Sequence, residues 1–544
     1  MLDNLPILSL ITFSPLLGLL ILLFVPKDKG RVIKVIGILT ALIPLILAGM
    51  LYADYDRSSD ETMQYTEEQT WISAPLQSDG AGLAQLNDLT LELGYKMSVD
   101  GLSVAMIFLT ALVGLMAAMA AVHIKKRWKT FYILFLLLLV GMLGVFSARD
   151  LFLFFVFFEI TLVATFFLIG IWGFKGREKA SMKFLIYNGI GSAFMLIAFL
   201  VLVVTAGFTT TVNVEENSIS AYYTADVDQI TENMHAEDSY ANLDDSAMPN
   251  NPFKLTDNLQ WFVFILILLA FGIKLPIFPF HTWMLKVHAE APPAVVMIHS
   301  GILLKMGGYG LIRFGVGFFP DKVYEWGLFL AILGAINIIY GAILAFRQTD
   351  IRLVLAYSSV SHMGIVLFGI AALNTIGLEG AIFQMVSHGL ISALLFLLVG
   401  SIYERTNTFE LREMGGLAKS VPFMSGLLLA AGMASLGLPG MSGFISEFMA
   451  FVGLFDTMPV ITIIGTIGII LAAVYVLRAI LRMTYGPTPS ALEGIQDARL
   501  VEAVPMIALL AFIVLIGVYP SVLSDPLKHS IDLIVQNIAG KIGG

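Results

Sequence analysis

The sequence has no cysteine and few charged residues. Only 13% of its 544 residues are Asp, Glu, Lys or Arg, whereas a soluble domain carries about 25%. The absence of cysteine excludes disulfides, thiolate-bound iron–sulfur clusters and cysteine zinc sites within the chain. The formal net charge of −9 argues against a nucleic-acid binder. The shortage of charge instead indicates a protein that crosses a membrane many times.

Long apolar segments fill most of the chain. Hydrophobic residues make up 58%, the mean hydropathy is +0.87, and one span needs about 20 apolar residues. The first segment lacks a basic n-region and an A-x-A pattern, so we expect it to be a retained helix. The pattern predicts an all-α polytopic protein of about 14 transmembrane helices, at residues 5–25, 32–52, 98–122, 130–148, 150–172, 180–207, 259–280, 292–317, 325–346, 352–373, 379–402, 421–453, 459–484 and 503–523.

Lysine and arginine predict the direction of the spans. The loops after odd-numbered spans hold 21 of the 31 basic residues. Since cytoplasmic loops carry an excess of Lys and Arg, these loops are predicted to face the cytoplasm of a bacterial cell. Both termini of this multi-pass plasma-membrane protein would then lie outside.

Two long loops on the predicted outer side are acidic. Residues 53–97 hold nine acidic and two basic residues, and residues 208–258 hold ten acidic and one basic. A solvated surface explains this composition, with partner docking or attraction of cations as the alternatives.

Six titratable side chains fall deep inside predicted spans. A charge near the bilayer centre costs from about 3 to more than 10 kcal/mol unless it faces protein or water and has partners. Glu159 has no basic residue within nine positions on either side, so its partner must come from another helix. The six residues, on spans 5, 7, 8, 10, 11 and 12, are Glu159, Lys274, Lys305, His362, His388 and Glu447.

These residues have a structural and a functional interpretation. In the structural interpretation, the buried ion pairs do no more than fix helix packing, and any one histidine does no more than hydrogen-bond a carbonyl. Buried ion pairs add little net stability over apolar packing. The large number of buried charged residues therefore favours a function. Acids, amines and imidazoles together suit a proton relay. His299 has the weakest case, because it falls near the start of span 8, and the sequence has no H-x-x-x-H pattern or carboxylate–histidine cluster that predicts a metal site.

Two predicted spans carry a Leu-Pro step near a charge. Leu275–Pro276 follows Lys274 in span 7, and Leu438–Pro439 precedes Glu447 in span 12. Proline removes a backbone donor and clashes with the preceding turn, so both helices are predicted to break. The two broken spans are five spans apart, and this odd number means that they cross the membrane in opposite directions, as in inverted-repeat transporters. We therefore expect an N-terminal region with spans 1–3, inverted five-helix repeats of spans 4–8 and 9–13, and a C-terminal span 14 with a tail, at residues 1–128, 129–320, 321–485 and 486–544.

Several motifs together resemble one family. The chain reads, in order, FFEITLVATFFLIGIWG, REKASMKFLIY, GIKLPIFPFHTWMLKVHAEAPPAVVMIHSGILLKMGGYGLIRF, LAYSSVSHMGIVL, FQMVSHGLISALLFLLVG and GLPGMSGFISEF. This series resembles the antiporter-like subunits of respiratory complex I, which are related to subunits of cation/proton antiporters and membrane-bound hydrogenases. The chain is most similar to the M-type of bacterial NADH–quinone oxidoreductase, because Glu447 stands where the L- and N-types carry lysine and the L-type's long lateral helix is absent.

The resemblance implies a proton-translocating subunit with no cofactor or redox centre of its own. Redox chemistry in other subunits would drive it, and its partners would be neighbouring antiporter-like membrane-arm subunits and the bilayer. A proton would enter from the cytoplasm through Lys305 and nearby histidines and cross to Glu447, while Lys274 and Glu159 act as the gate. Lys286 stands where the family usually has a Pro-Asp stretch, so the role of the family's aspartate is not assigned to any residue at this position.

Three other functions fit largely the same residues. They are a subunit of a multisubunit Na⁺/H⁺ antiporter, a hydrogenase-linked pump and a structural scaffold. Neighbouring subunits would separate the first two from a quinone reductase. A scaffold predicts that the buried charges can be neutralised without loss of transport.

Overall fold

The structure is a computed structural model that describes residues 5–57, 59, 62–76, 88–213, 218–244 and 246–542. In this part of the chain, thirteen helices are long and apolar enough to cross a membrane. A fourteenth span is divided into two shorter helices, which gives the predicted number. The first six spans are the single helices α1 (Ile7–Phe24), α2 (Gly30–Asp54), α3 (Gly101–Ala120), α4 (Trp128–Ser147), α5 (Leu151–Trp172) and α6 (Arg177–Val204).

The remaining spans are less regular. A short helix, α7 (Val227–His235), precedes the broken span 7, α8 (Asp257–Lys274) and α9 (Thr282–Glu290). Span 8 comprises α10 (Pro293–Ile298), a π-helical turn (His299–Leu303), α11 (Lys305–Gly310) and a second π-helical turn (Leu311–Val316). The other helices are α12 (Pro320–Glu325), α13 (Gly327–Arg347), α14 (Ile351–Ala372), α15 (Thr375–Thr406), α16 (Leu417–Ser420), α17 (Pro422–Ser435), α18 (Ser442–Thr457), α19 (Pro459–Thr484), α20 (Leu500–Val518) and α21 (Ser521–Ile542).

Polar residues of the sequence set several helix starts. Asp100 accepts a hydrogen bond from the Ser103 amide at 2.9 Å before α3, and Asp150 accepts from the Leu153 amide at 3.0 Å before α5. Asn374 does the same for α15. Each side chain satisfies an amide at the helix start that has no partner within the helix.

The two acidic loops form one sheet, which the sequence analysis did not predict. Strand β1 (Gln64–Pro75) pairs antiparallel with β2 (Asp88–Val99), β2 pairs parallel with β4 (Ser218–Thr224), and β3 (Phe208–Asn213) pairs antiparallel with β4. The order is β1-β2-β4-β3. Residues 58, 60, 61, 77–87, 214–217 and 245 of these loops lie outside the described residues. Shared strands require both loops to lie at one end of the bundle, which we call the sheet face.

The opposite end of the bundle, here the basic face, carries the loops rich in Lys and Arg. Each span reverses the chain direction, so the loops after α1, α3 and α5 lie there. The C-terminal helix α21 lies at the sheet face and packs against α3, α12 and α15. The sequence analysis treated it only as a tail.

The core of the bundle is formed by α3, span 8 and α15. Within their most apolar stretches, 89%, 100% and 100% of the residues are buried. The helices α1, α2, α19 and α20 instead expose many Leu, Ile and Val side chains, as membrane-facing helices do. Lys305 of span 8 and His388 of α15 are therefore held in the protein interior.

Candidate functional site: a row of buried titratable side chains

The predicted breaks in spans 7 and 12 are present. Residues 275–281 separate α8 from α9, and residues 436–441 separate α17 from α18. In the first break, Asn337 of α13 accepts a hydrogen bond from the Phe278 amide at 2.8 Å, and Trp283 donates to the Ile273 carbonyl at 3.1 Å. Irregular backbone at membrane depth is tolerated where protein satisfies it in this way. Asn337 was not singled out in the sequence, because its contact with the break joins residues 59 positions apart.

In the second break, two glycines have left-handed backbone conformations. Gly437 has φ +71° and Gly440 has φ +89°, which side chains rarely tolerate. The break lets α18 begin at Ser442, one turn before Glu447. The carboxylate is thereby directed at the interior of the bundle, where Glu447 is 8% exposed.

Lys274 lies at the end of α8, just before the first break. It is 1% exposed, and its ammonium lies 4.6 Å from the ring centroid of Phe158 and 5.8 Å from that of Phe184. Among the described residues, neither its Nζ nor Oε1 of Glu159 has a hydrogen-bond partner. The structure therefore places Lys274 against the aromatic residue that precedes Glu159 in α5, and it does not join the two charges in an ion pair.

Four of the predicted residues form a continuous row. Lys305 in span 8 is fully buried, donates to the Ser300 carbonyl, and lies 2.7 Å from Nδ1 of His388. The rings of His388 and His362 have centroids 5.1 Å apart. Nδ1 of His362 lies 3.4 Å from Oε1 of Glu447. Residues from span 8, α15, α14 and α18 are thus brought together across the core.

Side chains that were not predicted hold this row in place. Gln384 of α15 donates to Nδ1 of His362 at 3.1 Å and accepts from Ser446 of α18 at 2.5 Å. Ser435 lies 3.4 Å from the other ring nitrogen of His362. A cavity of about 10 Å³ is lined by His362, Gln384, Ser435 and Glu447, and its volume is about the space that one water needs.

Two further histidines lie between Lys274 and Lys305. Nε2 of His288 lies 3.0 Å from Nδ1 of His299, and both rings are buried. Phe184, which contacts the Lys274 ammonium, also packs edge-on against the His299 ring at 5.9 Å. The sequence analysis passed over His288 and ranked His299 lowest. Their pairing depends on how α9 folds back on span 8, and local sequence gives no sign of it.

The geometry suits proton transfer along side chains. Because the ammonium of Lys305 is a donor, Nδ1 of His388 accepts in this arrangement, and a neutral His388 carries its proton on Nε2. Imidazoles can accept a proton at one nitrogen and release it from the other. No group of three or more His, Asp or Glu side chains that could hold a metal ion is found within the described residues.

The fold and this row define a class: a polytopic membrane protein whose interior carries a chain of ionisable side chains between broken helices. Residues 148–472 match the family described as NADH:quinone oxidoreductase/Mrp antiporter, TM. The protein belongs to this family.

Comparisons with individual proteins extend over nearly the whole chain. It is 36% identical to NAD(P)H-quinone oxidoreductase chain 4 2 of Thermosynechococcus vestitus, over 99% of this chain and 93% of that one. It is 35% identical to NADH-quinone oxidoreductase subunit M of Rhodobacter capsulatus, over 99% and 98% of the two chains. A chain in the structure of respiratory complex I from Thermus thermophilus with bound NADH superposes with a TM-score of 0.78 and 26% identity, covering 99% of this chain and all of that one.

Proposed function

We propose that the protein is the M-type, proton-translocating membrane subunit of a bacterial NADH–quinone oxidoreductase. The observation that carries this proposal is the continuous row from Lys305 through His388 and His362 to Glu447. The subunit holds no redox centre, and electron transfer in partner subunits drives the transport. Its partners are the neighbouring antiporter-like subunits of the membrane arm.

In this mechanism each buried side chain has a role. Lys305 takes a proton arriving from the basic face, which is the cytoplasmic side of the plasma membrane. His388 and His362 pass it across the core, and Glu447 releases it toward the sheet face, on the outer side with both termini. Lys274 and Glu159 act as the gate. Because no ion pair within the described part of the chain holds the buried ammonium of Lys274, it responds to a charge that approaches from a neighbouring subunit. Each of the two inverted repeats, which are two of the four regions predicted from the sequence, contains one of the two broken helices.

Neutralising the row tests this function. In proteoliposomes that contain the complete oxidoreductase, Lys305→Met and Glu447→Gln each remove one member of the row. We expect the number of protons moved per quinone reduced to fall while the complex still assembles, because the remaining groups cannot bridge the gap. The measurement is proton uptake against quinone reduction in the same vesicles.

Asp456→Asn is the matched control, because Asp456 lies on the same helix as Glu447 but is exposed. It should leave the stoichiometry unchanged. Full stoichiometry in both Lys305→Met and Glu447→Gln would contradict the proposal and favour a scaffold. Exchange of Na⁺ for H⁺ without electron transfer would identify an antiporter instead.

A further inference from the structure

A basic cavity lies at the basic face between α2 and α20. It has a volume of about 400 Å³, and its lining includes Lys34, Lys125, Arg405 and Arg499 with only two acids, Glu404 and Glu502. A second cavity adjoins it, shares Lys34 and Trp128, and adds Lys29 and Arg31 with one acid, Asp28. In a chain with a net charge of −9, this is a local concentration of positive charge.

The two acids of the basic cavity already have partners. Glu502 accepts from Arg405 at 2.7 Å and lies 2.9 Å from His123, and Glu404 lies 3.1 Å from Lys125. Among the described residues, neither Lys34 nor Arg499 forms an ion pair. Two cations at the rim of the cavity are thus free to hold an anion.

Lys34 is oriented toward the cavity by its surroundings. Its ammonium donates one hydrogen bond, to the Val122 carbonyl at 2.8 Å, and lies 5.0 Å from the ring centroid of Trp128. An ammonium has three donors, so two remain available. A tryptophan at this level is typical of the membrane–water interface.

A separate apolar cavity lies deeper, and α3, α15 and α20 form most of its lining. It has a volume of about 220 Å³ and is bounded by Phe108 and Leu112 of α3 and by Phe512 and Leu515 of α20. Tyr52 of α2 also borders it and donates to the Val522 carbonyl, which closes its sheet-face end. Both α2 and α20 pack on α3, so α3 forms the floor of a slot between them.

The near end of the apolar cavity lies about one leaflet away from the basic cavity. Leu112 lies eleven residues before His123 along α3 and the short helical turn that continues it, which is about 16 Å at 1.5 Å per residue. Half of the hydrocarbon core of a bilayer is about 15 Å thick. The outward side chains of the slot, such as Leu39, Val504 and Ile507, are exposed and apolar.

We propose that this slot binds one anionic phospholipid. Lys34 and Arg499 hold its phosphate and the additional negative charge of its headgroup in the basic cavity. One acyl chain lies along α3 and ends in the apolar cavity. A soluble phosphate would use the charges but leave the apolar cavity unfilled, and a zwitterionic lipid would fill the apolar cavity but match the charge less well.

Thermal unfolding of the full-length chain in detergent tests the site. Three additions are compared: phosphatidylglycerol, phosphatidylcholine with the same acyl chains, and inorganic phosphate. We expect phosphatidylglycerol to raise the unfolding midpoint by about 3–5 °C, because a ligand that binds only the folded state stabilises it. Phosphatidylcholine should raise it by less than half as much, and phosphate should leave it unchanged.

Two double variants localise the effect. Lys34→Gln with Arg499→Gln should abolish the difference between the two lipids. Lys175→Gln with Lys419→Gln removes two exposed cations from other loops of the basic face and should preserve that difference. If the first double variant cannot be purified, Arg499→Gln alone serves, because its position is exposed.

Three results would overturn the proposal. They are equal stabilisation by the two lipids in the wild type, an undiminished preference in the Lys34 and Arg499 variants, and a full effect of inorganic phosphate alone. Leu112→Trp, which fills the near end of the apolar cavity, adds an independent check. It should weaken stabilisation by phosphatidylglycerol, and an unchanged effect would contradict the placing of the acyl chain.

Discussion

At the scale of single residues, one nitrogen of His362 has two competing partners. Its Nδ1 lies 3.1 Å from the amide nitrogen of Gln384 and 3.4 Å from a carboxylate oxygen of Glu447. Ser446 fixes the amide by donating to its oxygen at 2.5 Å. An unprotonated Nδ1 can accept from Gln384, whereas a protonated one can only donate, and then Glu447 is the available acceptor. In the proposed relay, Gln384 is therefore a positioning residue between His362 and Glu447.

Gln384→Leu removes the amide and leaves an apolar side chain that is one atom shorter. We expect the rate of proton transport to fall about tenfold, since a lost hydrogen bond of this kind is worth about 1–1.5 kcal/mol, and its pH profile to shift. Proteoliposome transport between pH 6 and pH 8 is the measurement. Gln348→Leu, at the end of α13 where Gln348 donates to the Leu344 carbonyl, is the control. An unchanged rate and profile in Gln384→Leu would remove the positioning role.

At the scale of helices, the packing of α15 on α18 sets the geometry of the row. These helices approach closely at Gly380, where an added Cβ would lie 2.4 Å from the Ala450 amide nitrogen. The obstacle is backbone, which cannot rotate away as a side chain can. Any larger residue must push α18 outward and carry Glu447 away from His362.

Gly380→Ala should therefore destabilise the protein by about 1–3 kcal/mol and lower proton transport. Gly189→Ala is the matched control, since an added Cβ there meets nothing within 4 Å and alanine favours a helix over glycine by about 1 kcal/mol. Denaturation midpoints and transport rates of the two variants give the comparison. Equal stability of the two variants would show that the backbone at Ala450 can move away from position 380 at little cost.

At the scale of the whole molecule, a charge cluster joins three distant parts of the chain at the sheet face. Asp228 of α7 pairs with Arg149, which lies between α4 and α5, and with Lys96 of β2 at 3.0 Å. Burial alone would raise the pKa of Asp228, but the positive charges and hydrogen bonds of Arg149 and Lys96 outweigh it and lower the pKa below 3.8. Since the folded-state pKa is lowered, the stabilisation is complete above the unfolded value of about 3.9 and is lost as the pH falls below it.

Asp228→Asn should lower stability at pH 7 by about 1–2 kcal/mol. Asp228 itself is 38% exposed and screened by water, so most of the cost arises from leaving the buried Arg149 without its partner. The difference from the wild type should begin to shrink as the pH falls below about 3.9, because the unfolded wild-type chain then takes up a proton at Asp228 before the folded protein does. Denaturation at pH 7 and pH 3.5 measures both. Asp244→Asn, which removes an exposed partner of Lys254, should change stability by less than about 0.5 kcal/mol, and an equal loss in both variants would contradict this account.

The sequence by itself determined the number of spans, the two broken helices and the buried charges. These features follow from local chemistry: an apolar run of about 20 residues must span a bilayer, a proline cannot continue a helix unperturbed, and Glu447 or Lys305 cannot face lipid. Their positions could be read without knowing which helices touch. The family resemblance rested on the same local motifs.

Only the tertiary structure decided which of these groups meet. It joined Lys305, His388, His362 and Glu447 in a row, left Lys274 without a hydrogen-bond partner among the described residues, and added His288, Asn337 and Gln384. It also built one sheet from two loops more than 100 residues apart. Such contacts depend on how rigid helices pack and on strand pairing across long intervals of sequence. No local pattern of residue types encodes those distances.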